Sequence, residues 1–206
     1  MEELNFIVRY GHLLFGITWI GMLYYFNFVQ GGYFKAATPE GLADAKAKLA
    51  PSALWWFRWG AMFTFLTGLY LLHTLGGTLI ANDYIMVGAL LGTFMFLNVW
   101  LVIWPAQKIA LGMVEGDGPA AGAKALLASR TNTLFSFPMA YFMLASAHKK
   151  QYADGLDNGL YIALAVVVIL EINALMGKQG PMASVKGVIH SGVALTAILA
   201  LTLHYL

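Results

Sequence analysis

The sequence predicts an all-α fold, an integral membrane bundle of about six transmembrane helices, from three observations. Of its 206 residues, 60% are hydrophobic and 11% charged, a balance far from that of soluble domains. The apolar residues gather into runs at roughly 5–30, 54–76, 83–104, 131–149, 157–177 and 184–206, each near the ~20 residues that cross a bilayer's hydrocarbon. Lys and Arg are also unequally placed. With six spans, one side receives Lys35, Lys46, Lys48, Arg58, Lys108, Lys124, Arg130, Lys178 and Lys186, and the other Arg9, Lys149 and Lys150. Positive loops stay inside, so both termini are expected in the periplasm of a bacterial inner membrane. Residues 1–206 read as one transmembrane domain without a soluble domain or internal repeat.

The first run, IVRYGHLLFGITWIGMLYYFNFV over 7–29, has no basic n-region or cleavage site before it and is expected to remain as a permanent helix. On a helix, Arg9, His12, Gly16 and Trp19 share one face. Thr38-Pro39-Glu40 then opens a short helix that Pro51 is expected to close. Trp55, Trp56 and Trp59 mark a water–lipid interface. His73 stands near the far end of the second span. The third span holds Gly88 and Gly92, a GxxxG packing face, and is expected to stop at Pro105. Residues 106–130 read as a polar connector around Gly116-Asp117-Gly118-Pro119. Pro138 interrupts the fourth span, which ends at His148. Glu171 lies in the fifth span, and His190 and His204 near the two ends of the sixth.

Several chemistries are excluded. A net charge of +2 without a basic run does not suit nucleic acid. The absence of cysteine removes disulfides, thiolate zinc sites, iron–sulfur clusters and covalently attached c-type haem. No phosphate-binding loop, HExxH or nucleophile elbow occurs.

Histidines remain. A helix rises ~1.5 Å per residue, which sets His12 roughly 10 Å below the outer edge, with His73 and His148 also in the outer third. His12 and His73 on adjacent antiparallel spans are expected to supply both axial ligands of a haem b, with Gly16 leaving room for the macrocycle and Arg9 near a propionate. His148 competes for that iron or serves a second haem, and His190 is a further ligand candidate. The alternative is that these side chains are interhelical hydrogen-bonding groups or wetted interfacial residues. Glu171 with His190, and Arg58 as a third candidate member, reads first as a structural clasp, then as a proton relay or the support of a ligand. Arg130, Asn132, Thr133 and Ser136 line a cavity or satisfy a carbonyl freed by Pro138.

The chain resembles the N-terminal membrane domain of bacterial cytochrome c-linked urate hydroxylases, the urate oxidase N-terminal family. The resemblance runs through RYGHLLFGITWIGMLYYFNFVQ, WWFRWGA, NVWLVIWPAQK, SRTNTLFSFPMAYFMLASAH and MASVKGVIHSG. The first block is also similar to membrane haem proteins of the HemJ type, the protoporphyrinogen oxidases. The resemblance implies oxidation with electrons leaving toward cytochrome c. Those hydroxylases carry a fused cytochrome c domain, whereas this sequence has no CxxCH, so the acceptor is expected to be a separate protein. The leading expectation is a b-type haem electron-transfer protein with one or two haems. It would be embedded in lipid and partnered by cytochrome c, another redox subunit, a larger respiratory complex or further copies of itself. The alternatives are a haem-dependent membrane oxidase, urate hydroxylase-like or protoporphyrinogen oxidase-like, and a haem-free structural subunit.

Overall fold

The computed structural model describes residues 2–76, 82–148 and 157–206. Lys149 and Lys150, counted above on the outer side, lie outside the described residues. Those described are helical almost throughout, with no strand among them. The helices are α1 (Glu2–Tyr24), α2 (Gly31–Ala36), α3 (Pro39–Asp44), α4 (Ala50–Leu75), α5 (Asp83–Leu97), α6 (Trp104–Ala110), α7 (Gly118–His148), α8 (Asn158–Met176) and α9 (Val185–Tyr205). Four helical stretches are long and apolar enough to cross a membrane: Glu2–Ala36, Asp83–Ala110, Asn158–Met176 and Val185–Tyr205. They mark a multi-pass membrane protein.

Local rules account for the helix starts. The Thr38 hydroxyl accepts from Gly41 N at 3.2 Å, with Pro39 at the first position of α3, where its missing N–H costs nothing. Asp157 accepts from Leu160 N at 2.8 Å, and Ser184 from Gly187 N at 2.9 Å. Two prolines act otherwise than expected. Pro51 sits in the first turn of α4 and closes nothing, and Pro105 opens α6, which runs on to Ala110. The connector expected over 106–130 is mostly helix; only residues 111–117 separate α6 from α7.

Three π-helical turns, Tyr25–Gln30, Ala45–Leu49 and Asn98–Ile103, link these helices end to end. A π turn widens the helix, loosens its i→i−4 ladder and re-aims the side chains that follow. Asparagine amides attend two of them. Asn27 Nδ2 donates to Leu23 O at 2.9 Å, and Asn132 Nδ2 donates to Met95 O at 2.9 Å.

The chain divides into two compact units, Met1–Thr67 with Phe96–Ser129, and Gly68–Met95 with Arg130–Leu206. In the first, α1 packs closely on α4: a Cβ on Gly60 would stand 3.1 Å from Trp19 N and 3.3 Å from its Cα. Ring pairs extend the contact, with Phe15–Phe63 centroids at 5.0 Å, Phe26–Phe57 at 5.4 Å and Trp59–Trp100 at 5.9 Å. Trp19, Leu23, Leu54, Phe57 and Ile103 are buried here.

In the second unit, α7 lies between α5 and α9. Gly88 faces Met143 and Phe142, and Gly92 faces Met139 and Met143, so the GxxxG face receives α7. Gly192 of α9 meets Phe137 so closely that a Cβ would stand 2.5 Å from the ring. Thr131, Asn132, Thr133 and Ser136 are all buried. Asn132 bonds the Met95 carbonyl, and Ser136 Oγ donates to Thr133 O at 2.7 Å, so carbonyls account for these two groups.

Candidate functional site

The first unit contains a cavity of about 520 Å³ built around two of the π turns. Tyr25–Gln30 supplies Phe26, Asn27 and Gln30, Ala45–Leu49 supplies Lys46, α6 supplies Gln107, and α7 supplies Ser129. The volume lies within the roughly 300–1,000 Å³ of small-molecule sites. The wall is largely apolar, with Phe26 and Phe34 among its lining residues.

Its polar groups share one property. Asn27 is 4% exposed and fixed by its Nδ2, which donates to Leu23 O and, at 2.8 Å, to Ser129 Oγ. Its Oδ1 is buried without a hydrogen-bond partner. So are Gln30 Oε1 and Gln107 Oε1. Three residues that line the cavity thus carry an amide oxygen closed off from solvent and without a donor, and a buried acceptor left unmade costs about 1–3 kcal/mol. Lys46, exposed on the same wall, adds the one formal charge among the lining residues. Side chains of these types complement a ligand that carries N–H groups and a negative charge. Asn27, Gln30, Gln107 and Ser129 all lie within the blocks that carry the family resemblance, yet none stood out as a site residue, because their separation along the chain hides their convergence.

The residues singled out from the sequence are placed differently. His12 Nδ1 lies 2.9 Å from the Thr64 carbonyl oxygen and 3.0 Å from Thr67 Oγ1, tying α1 to α4. Gly16 approaches the Thr64 methyl, and Arg9 is exposed. His148 Nδ1 lies 3.0 Å from the Leu144 carbonyl of its own helix. His73, His190 and His204 are exposed. Glu171 is buried on α8, and the Arg58 guanidinium lies over the Trp104 ring at 3.3 Å.

The fold and cavity thus define a class, a helical membrane protein with an amide-lined pocket. The profile of one family, urate oxidase N-terminal, matches residues 80–203, more than half of the chain. The chain belongs to the urate oxidase N-terminal family. Comparison with curated proteins and with solved structures gives no match.

These findings correct the haem reading. Among the described residues, no three or more His, Asp or Glu side chains stand together where a metal ion would be held, and the chain has no cysteine. The family match backs the urate hydroxylase-like alternative better than a cytochrome b-like carrier. The expectation of one or two haem b groups ligated by His12, His73, His148 and His190, with Gly16 and Arg9 in support, is therefore withdrawn, and with it the b-type electron-transfer function. Locally, His12 is held against α4 and His148 against its own helix through Nδ1, and His73 and His190 are exposed, so packing or solvent contact accounts for each ring.

Proposed function

We propose that this chain is the membrane-embedded, urate-binding module of a urate-oxidising system, and that it holds the oxopurine in the cavity beside Asn27, Gln30 and Gln107. One observation supports this reading most directly: three residues whose amide oxygens lack donors line one cavity together with a lysine, and a turn of each amide would offer its oxygen to a ligand. Urate presents ring N–H groups to such acceptors, carbonyl oxygens to amide and ammonium donors, and a flat face to Phe26 and Phe34. At neutral pH it is an anion, which Lys46 complements. Family membership supports urate as the substrate class.

The residues of the cavity bind and orient. Oxidation of the bound purine needs an electron acceptor outside it, for which a separate cytochrome c or respiratory assembly is the proposed partner. The proposed setting is a bacterial inner membrane crossed six times, with α4 and α7 as the two further spans and both termini outside, as the nine-to-three bias of Lys and Arg favours.

Calorimetric titration of the detergent-solubilised protein with urate tests the reading. Saturable one-site binding, weakened when Gln107 is replaced by Leu, is the expected result. Absence of binding up to millimolar urate, or binding indifferent to Gln107→Leu and Asn27→Leu alike, would overturn it.

A further inference from the structure

The second unit carries a different cavity, of about 590 Å³, where the turn between α8 and α9 meets α7. Its two ends differ in chemistry. One is polar: Lys178 and Gln179 come from the turn and Ser191 from α9. The other is apolar, lined by Leu134, Leu195 and Ile198. Ile198 is 55% exposed, so the groove opens sideways along α9, toward lipid if this helix crosses the membrane. Ser191 to Ile198 spans seven residues, roughly 10 Å along the helix axis. None of the lining residues is acidic.

The cationic end is built, not incidental. The Asn173 amide grips the Lys178 backbone from both sides, Nδ2 donating to Lys178 O at 3.1 Å and Oδ1 accepting from Lys178 N at 3.3 Å. Gly177 makes the grip possible, since a Cβ there would stand 2.0 Å from Asn173 Oδ1. The turn is thus fixed with its lysine at the mouth of an apolar groove.

We propose that this groove holds one anionic glycerophospholipid from the adjoining leaflet, its phosphate at Lys178 and the turn, and one acyl chain along α9. Basic pockets at the ends of membrane helices recognise anionic headgroups in this way. A free phosphate would leave the apolar end without a function, and a zwitterionic lipid would bring a second cation beside Lys178. The site is separate from the purine cavity and does not depend on it.

Native mass spectrometry of the intact protein in detergent provides the test, with phosphatidylglycerol and phosphatidylcholine of identical acyl chains as probes. Phosphatidylglycerol should bind at least five-fold more tightly than phosphatidylcholine. Lys178→Gln, at an exposed position, should remove most of that preference, and Ala194→Trp, which fills the groove from its exposed side, should weaken both lipids. Equal binding of the two lipids by the unaltered protein would overturn the proposal. So would full displacement by glycerol phosphate alone, or retention of the preference in Lys178→Gln.

Discussion

Replacing Asn27 by Leu separates a binding role for the amide cavity from a structural one. Asn27 makes two hydrogen bonds through Nδ2, to Leu23 O and Ser129 Oγ, while its Oδ1 makes none. Loss of the two bonds costs roughly 1–3 kcal/mol, at about 0.5–1.5 kcal/mol each. Removal of an unsatisfied buried acceptor returns about 1–3 kcal/mol. Leu has the branching of Asn and a larger volume, so no cavity opens, and the two terms offset to within about 2 kcal/mol. Urate binding, by contrast, loses an acceptor for a ring N–H, about 1–3 kcal/mol or roughly 5- to 150-fold in Kd. Thermal unfolding in detergent and urate titration of the same preparation read the two quantities. A melting point close to that of the unaltered protein with a Kd raised at least five-fold is expected. A strongly lowered melting point with an unchanged Kd would refute the reasoning and leave Asn27 as a helix clasp.

Other substitutions probe the same picture. Lys46→Met should weaken urate by roughly 1.5- to 5-fold, the reach of an exposed charge, with a neutral purine unaffected and the difference vanishing at high salt; titrations at two ionic strengths check it. Gly60→Ala should cost about 1–3 kcal/mol, because the new Cβ meets the Trp19 backbone, which cannot rotate away. Gly21→Ala, with open space around it, should be neutral or stabilise by up to about 1 kcal/mol; denaturant unfolding of the pair compares them. Asn132→Ala should cost about 1–3 kcal/mol by removing the donor to the buried Met95 carbonyl, again read by unfolding.

Particular elements show how far the sequence reaches. The Thr38 cap with Pro39 behind it was legible, because capping is decided within four residues. Gly88 and Gly92 announced a close helix contact by spacing alone, and α7 fills it. Pro51 and Pro105 misled as stops, since each follows closely on a π turn, whose widened and loosened ladder admits a residue without an N–H. His12 was read from the first helix alone as a haem ligand, and its partners, the Thr64 carbonyl and the Thr67 hydroxyl, lie more than fifty positions away in the chain.

The sequence by itself determined that this chain is helical and made for a bilayer, because span length, apolar content and interfacial aromatics are local properties counted along the chain. Only the tertiary structure decided where its chemistry gathers. A π turn has no reliable local signature, and whether an amide oxygen finds a donor depends on groups brought in from elsewhere in the chain. Asn27, Gln30, Lys46 and Gln107 become one cavity wall only once α1, α4, α6 and α7 have packed, so the pocket is a product of the fold.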